Sequence, residues 1–283
     1  MKTDEELTAR LSIAMDRWSL DAAMPVAETR TSWVLRVSSA SGAHALKLLK
    51  PYGYDEINGA LLMQWWNGDG AARIDAIEGH DVLMEWLDGG TLGDIVRGDY
   101  GRDGEGMDVL CELLAGLHKS RAAPVPELVP LEQQMRQLRE SDLAFLPQEA
   151  QPAWRHAQEM LDDLLATTTE HIPLHGDLHH DNVIGHEGNW RMIDPKGLIG
   201  DPVFDGANLF RNPYPADALV FDPARIDALA ERLSRRMNWP RRRILQWACV
   251  LNAISACWTP AGSNFEWELR MMPVMLAAIE RHK

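Results

Sequence analysis

One β-like island, residues 173–193, interrupts a chain that otherwise reads as largely helical beyond residue 91. It opens with His175-Gly176-Asp177-Leu178-His179-His180-Asp181-Asn182, a dense run of polar and ionisable side chains. Val183-Ile184 and Trp190-Arg191-Met192-Ile193 then flank a His186-Glu187-Gly188-Asn189 turn, and Asp194-Pro195-Lys196-Gly197 follows. Two short apolar runs around a Gly-containing turn predict a β-hairpin. Such a hairpin folds the chain back on itself, so that Asn182 at its start and Asp194 at its end converge. Any fold of this chain must therefore keep a knot of polar groups together within a helical surrounding.

The first residues follow a different pattern. Over residues 4–18, Leu7, Leu11, Ala14, Met15 and Trp18 recur at helical intervals behind an acidic first turn, which predicts an amphipathic helix. Runs over 33–38 and 43–50, separated by Ser39-Ala40-Ser41-Gly42, read as a hairpin; 55–66 reads as a helix; 73–78 and 81–87, parted by Gly79-His80, read as two more strands. Strand texture ends at Asp88-Gly89-Gly90, where Thr91 with Asp94 three residues on resembles an N-cap. The expected organisation is a small lobe over residues 1–87 and a larger one over 88–283, with helices at 107–118, 131–141, 152–167, 223–237, 241–258 and 264–281.

Phosphoryl transfer requires three things side by side: a carboxylate that orients and deprotonates a hydroxyl, oxygen ligands for Mg²⁺, and a cation on the nucleotide phosphates. Asp177 can supply the first, and Asn182 and Asp194 the second. The spacing from Asp177 to Asn182 matches the catalytic loop of kinases, in which four residues separate an Asp from an Asn. With Gly176 where protein kinases carry Arg, the loop resembles the aminoglycoside phosphotransferase family. The longer string through Ile193-Asp194-Pro195-Lys196, Gly200-Asp201 and Phe204-Asp205-Gly206-Ala207-Asn208-Leu209-Phe210 looks like that family's streptomycin 6-phosphotransferase and hydroxyurea kinase branch, and residues 173–213 carry most of the likeness.

The resemblance implies an α+β, two-lobed protein-kinase-like fold: a small N-terminal nucleotide-binding lobe with an antiparallel sheet, and a larger, mainly helical C-terminal lobe. It implies ATP and Mg²⁺ as cofactors and a hydroxylated small molecule as acceptor, either a cationic aminocyclitol such as streptomycin or hydroxyurea. Asp177 would be the catalytic base, and Asn182 and Asp194 the Mg²⁺ ligands. Lys47, within the apolar run Ala45-Leu46-Lys47-Leu48, resembles the phosphate-binding lysine, with Lys50 the competing choice. Glu56 would hold that lysine, or else be an ordinary solvated carboxylate. Glu85, Trp86 and Leu87, after Met84, fit the linker whose backbone meets adenine. Asp201, Asp205, Glu266 and Glu268 are the candidate acceptor contacts, although Asp201 and Asp205 could instead cap a helix or brace the catalytic loop. Two features depart from the protein-kinase pattern. No GxGxxG covers the nucleotide, leaving Thr29-Arg30-Thr31-Ser32 and residues 38–42 as polar or small substitutes, and Asp-Pro-Lys-Gly stands for Asp-Phe-Gly. Lys196 could approach phosphate or substrate, or be a surface residue.

Two competing readings use the same residues. His175, Asp177, His179, His180 and Asp181 could bind two transition metals in a phosphohydrolase. Alternatively, the chain could be an inactive kinase-fold binding protein, against which Lys47, Asp177, Asn182 and Asp194 are all present. A net charge of −14, from 28 basic and 42 acidic residues, disfavours a nucleic-acid partner and suits a cationic acceptor. Three scattered cysteines give no disulfide framework or thiolate metal site. The first residues lack a signal peptide, and the most apolar stretch, 244–258, is too short and too polar to span a bilayer, so a cytoplasmic location is expected. Oligomeric state is left open.

Overall fold

The computed structural model describes residues 2–259 and 265–282, so Asn264, the expected first residue of the last helix, lies outside them. Helix α1 (Lys2–Trp18) leads into five strands, β1 (Ala22–Glu28), β2 (Ser32–Ser39), β3 (Gly42–Leu49), β4 (Ile74–Glu78) and β5 (Asp81–Glu85), with helix α2 (Ile57–Trp66) between β3 and β4. The strands form one antiparallel sheet in the order β1-β2-β3-β5-β4. Strand side chains alternate between faces. Trp33, Leu35, Val37, Leu46 and Leu48 therefore pack under α1 with Ala14 and Leu20. Val34, Lys47, Leu49, Val82 and Met84 line a cleft on the other face.

Strand β1 is absent from the sequence expectation. It is an edge strand, exposed over most of its length, with Pro25 beside a register shift, so it carries no apolar alternation to detect. The next helices are α3 (Leu92–Gly98) and α4 (Asp103–Leu117). Thr91 Oγ1 accepts from the Asp94 N–H at 3.0 Å, giving α3 the N-cap its sequence predicts. Strand β6 (Val129–Pro130), helices α5 (Leu131–Arg139) and α6 (Gln151–Ala166), strand β7 (Ile172–Leu174), the hairpin β8 (Val183–His186) and β9 (Asn189–Met192), and strand β10 (Leu198–Gly200) follow. The chain ends with α7 (Asp217–Val220), α8 (Pro223–Met237), α9 (Arg241–Trp258) and α10 (Glu266–Arg281).

Helix α9, which carries the apolar run 244–258, is buried nearly all round from Ile244 to Ala256. It is the central helix of the larger lobe, since an all-round apolar helix needs neighbours on every side. No helix of the described residues is long and apolar enough to cross a membrane.

A short chain crossing joins the lobes, but the apolar core does not stop there. Met63 and Trp66 of α2, Val82 and Met84 of β5, and Leu87 belong to the same buried cluster as Leu114, Trp154 and Trp247 of the helical lobe. Burying side chains of this size contributes roughly 1.5–3 kcal/mol each. The hairpin β8–β9 is sewn to both sides: Met192 N donates to Gly70 O at 2.9 Å, and Gly89 N to Gly185 O at 3.0 Å. This places the residues around 175–197 at the junction.

Candidate active site

Period-two alternation in β3 puts Leu46 and Leu48 on the α1 face and turns Lys47 the other way, into the cleft. Its ammonium lies 2.9 Å from Glu56 Oε2 and 2.9 Å from Asp194 Oδ1. Burial alone would depress the Lys47 pKa, but Asp194 and Glu56 outweigh it and hold the ammonium above its ordinary value. Lys50 is placed differently. It bonds Glu28 Oε1 at 2.8 Å and Thr29 O at 2.6 Å at the strand end. Of the two polar stretches, Thr29 and Thr31 of the β1–β2 loop and Ser32 at the start of β2 line the cleft, and Thr29 Oγ1 accepts from Ser32 N at 2.9 Å. Residues 38–42 turn at the opposite end of β2.

The catalytic-loop region is held from beneath. Asp205 is buried and accepts the His175 N–H at 2.9 Å and the Gly176 N–H at 2.7 Å, while its Oδ2 also pairs with His118 at 2.9 Å. Gly176 adopts φ +76°, and a Cβ there would meet Leu198 at 2.7 Å, so the glycine is a steric requirement. His175 is fully buried; its Nε2 donates to Ile193 O at 3.0 Å and its Nδ1 accepts from Asp177 N at 3.3 Å. Burial pushes its pKa down, in keeping with a neutral ring that donates on one side and accepts on the other.

That scaffold brings the three residues together. Ile193 N donates to Asn182 O at 3.0 Å across the hairpin, which sets Asp194 beside Asn182. Asn182 Nδ2 donates to Asp177 O at 2.9 Å, leaving Oδ1 as the free acceptor of that amide. Asp177, Asn182, Asp194 and Lys47 all line the same cleft. Asp194 adopts φ +55°, a left-handed conformation that Asp tolerates better than most residues. Confinement in the cleft would raise its carboxyl pKa, but Lys47 above all, with Lys196, outweighs this and holds it below the usual carboxylate range. The carboxylate is surrounded by protein yet open to the hollow of the cleft, with 49% of its side-chain surface exposed.

Asp177 faces a second hollow as well. A cavity of about 680 Å³ is lined by Tyr52, Gln134, Gln137, Asn208, Arg211 and Trp258, among others, together with Asp177 and Lys196. Its size suits a drug-sized ligand. Asn208 Nδ2 donates to Asp177 Oδ1 at 2.9 Å and so fixes the carboxylate between the two spaces.

Comparison with known proteins gives this arrangement a family. Residues 17–262 match the model for aminoglycoside/hydroxyurea antibiotic resistance kinases. The chain belongs to that family. It is 35% identical over 250 residues to a streptomycin 3''-kinase of Klebsiella pneumoniae, covering 86% of this chain and 90% of the relative. It is 32% identical over 259 residues to a streptomycin 6-kinase of Streptomyces griseus, covering 85% and 81%. Its fold is that of a solved aminoglycoside phosphotransferase, described as a ternary complex with ADP and hygromycin B, with a TM-score of 0.64, 12% identity and coverage of 95% of this chain and 97% of that one. The resemblance drawn from the 173–213 string and the two-lobed kinase-like fold are therefore established, and the protein is a phosphotransferase.

Other parts of this resistance-family kinase sit less as expected. The four carboxylates predicted to meet the acceptor do not converge on the cavity. Asp201 is buried; its Oδ1 caps the following turn through Val203 N at 3.0 Å, and its Oδ2 accepts from Arg243 Nε at 2.8 Å and Trp247 at 2.7 Å. Asp205 braces the loop as described. Glu268 stands buried behind the cavity wall, where Oε1 accepts from Arg211 at 2.7 Å and Ser255 at 2.8 Å. Glu266 is exposed at the start of α10. Long-range partners claimed three of these carboxylates, and none of those partners is visible as local spacing.

Glu85, Trp86 and Leu87 lie at the lobe junction: Glu85 Oε1 accepts from Arg73 N at 2.8 Å, Arg36 lies over the Trp86 ring at 5.2 Å, and Leu87 is buried. The His/Asp cluster is dispersed by the kinase fold. Asp181 is clamped by Arg97 at 2.6 and 2.9 Å, and His180 is buried with both ring nitrogens unpartnered. Among the described residues no three His, Cys, Asp or Glu side chains gather to hold a metal ion.

Asn208, Arg211, Tyr52, Gln134, Gln137 and Trp258 escape sequence reasoning as site residues. Only Asn208 leaves a local signal. It lies three residues after Asp205 in the 3-10 segment Pro202–Arg211, where that spacing repeats a face.

Proposed function

We propose that this kinase uses ATP and Mg²⁺ to phosphorylate a hydroxyl of a streptomycin-type aminoglycoside, with hydroxyurea as the alternative acceptor. The observation that carries the reading is that Asp177 lines both the Lys47 cleft and the second cavity, the position required of a base between donor and acceptor. In this reading residues 1–87 form the nucleotide lobe and 88–283 the catalytic and acceptor lobe. Lys47, kept charged and fixed by Glu56, neutralises nucleotide phosphates, and the Thr29, Thr31 and Ser32 hydroxyls cradle them. The backbone of 85–87 meets adenine.

Asn182 Oδ1 and Asp194 are hard oxygen donors, which suits Mg²⁺, an ion that takes one or two protein ligands and completes its shell with water and phosphate. When bound there, the ion supplies charge neutralisation on the phosphate oxygens. Asp177, oriented by Asn208, accepts the acceptor's hydroxyl proton and directs its oxygen in line. Trp258 offers an aromatic face to guanidinium groups such as those of streptomycin, a recognition that needs no carboxylate wall, whereas the Arg30 guanidinium already stacks on the Tyr52 ring, 3.7 Å from its centroid. A kinase drawing on ATP is consistent with the cytoplasmic location expected from the sequence.

Incubation with ATP and MgCl₂ over a panel of streptomycin, hydroxyurea, other aminoglycosides and simple sugars, read by product mass, tests the proposal. Streptomycin should gain one phosphoryl unit, and fragmentation of the product assigns its position. Product on hydroxyurea alone moves the acceptor to the alternative. Absence of product on every panel member, with ATP intact, overturns the reading.

A further inference from the structure

Lys196 shares with Asp177 a property that no other described residue has: both line the nucleotide cleft and the acceptor cavity. Its backbone is fixed, since Lys196 N donates to His175 O at 2.7 Å, directly against the catalytic loop. Its ammonium lies 3.5 Å from Asp177 Oδ2 and its side chain remains 44% exposed. That separation is an ion pair too long to be a good hydrogen bond, so the N–H donors stay available.

Charge balance adds a second argument. Among the described residues lining the cleft, the carboxylates are Glu56, Asp177 and Asp194, and the lysines are Lys47 and Lys196. Lys47 is already matched by two of those carboxylates at 2.9 Å. A nucleotide triphosphate brings several further negative charges, and Lys196 is the lining lysine not saturated by close carboxylates.

Building on the kinase reading above, we propose that Lys196 is a catalytic residue that contacts the phosphoryl group in transit. Its ammonium bonds a non-bridging oxygen of the γ-phosphoryl group while the bond from phosphorus to the β–γ bridging oxygen breaks and the bond to the acceptor oxygen forms. The acceptor proton passes to the Asp177 carboxylate. Lys196 keeps its own protons throughout. Lys47 thus serves the nucleotide that stays behind, and Lys196 the group that moves.

The test compares Lys196→Met and Lys196→Arg with the wild type, with thermal melting confirming that each variant folds. Binding of ADP and of AMP-PNP, both with MgCl₂, is measured alongside turnover. Lys196→Met should lose about 10²- to 10³-fold in kcat, the range for removing one preorganised donor. Its affinity for AMP-PNP should fall while that for ADP holds, because only the former carries a γ-group, and Lys196→Arg should recover part of both. A lysine that merely supports the loop would weaken both nucleotides together, and that outcome, or an unchanged kcat, overturns the proposal. Failure of the kinase reading looks different: the wild type itself would bind neither nucleotide, and the role of Lys196 would fall with it.

Discussion

The Asp177 carboxylate is held unequally, Oδ1 by the Asn208 amide at 2.9 Å and Oδ2 facing Lys196 at 3.5 Å. In the proposed mechanism Asn208 therefore acts by aiming Asp177 as the base. Asn208→Ala should lower kcat about tenfold, the weight of one lost hydrogen bond, with KM for ATP nearly unchanged. Steady-state kinetics check this, and a matching rise in KM for ATP would instead point to a general loosening of the cleft. A second prediction concerns the thiols. Burial pushes Cys249 up to about 12 and Cys111 to about 11, so near pH 8 both are protonated and shielded in the native state. Raising the pH from 8 to 9 should speed alkylation of a free model thiol but leave Cys249 labelling tied to unfolding, as read by quenched mass spectrometry.

Lys47 is legible in the sequence because a lysine inside an apolar strand needs a reason. Asp177, Asn182 and Asp194 are legible because their spacing is local and a hairpin explains it. Asp201 takes the helix-capping role held open for it, while Glu268 misleads because its Arg211 partner lies 57 residues away, so no window of sequence shows that it is already engaged.

Among the elements, α2 and the loop after β9 are closely matched. A Cβ at Gly59 would fall 1.9 Å from Pro195 O, so the helix can approach the Asp194-Pro195-Lys196 loop only through a bare backbone. Gly59→Ala must push that loop away. Nucleotide affinity should drop by at least about tenfold, with the melting temperature lowered by a few degrees, consistent with an overpacking cost of about 1–3 kcal/mol. Calorimetric titration with ADP and MgCl₂ checks it, and wild-type affinity would mean that the loop has slack the packing does not suggest. At this scale the sequence shows the central strands and the amphipathic helices, whose apolar period survives in the fold. Strand β1 escapes because an exposed edge strand with a proline has no buried face to impose a pattern.

Across the whole molecule, the sequence changes texture from strand to helix near residue 87, where the proposed lobe boundary falls, yet the apolar core is not divided there. Met63, Trp66, Val82 and Leu87 share one buried cluster with Leu114, Trp154 and Trp247. The two lobes should therefore unfold together, and calorimetry of the free protein should show one transition with calorimetric and van't Hoff enthalpies in agreement. Two resolved transitions would mean that the shared core is weaker than its burial implies. Net charge, by contrast, says little about the site: at −14 the molecule is strongly acidic, while the described lining of the acceptor cavity carries Lys196 and Arg211 against the single carboxylate of Asp177.

The proposed mechanism as a whole depends on Asp177, which lines both hollows, standing between donor and acceptor. The most direct measurement is the rate of phosphoryl-product formation by wild type and Asp177→Asn, followed by mass with saturating ATP, MgCl₂ and the accepted substrate. The substitution should cost about 10²- to 10⁴-fold in turnover, the range for a positioned acid–base group, while binding of ADP is preserved. An Asp177→Asn enzyme that turns over at the wild-type rate would contradict the account.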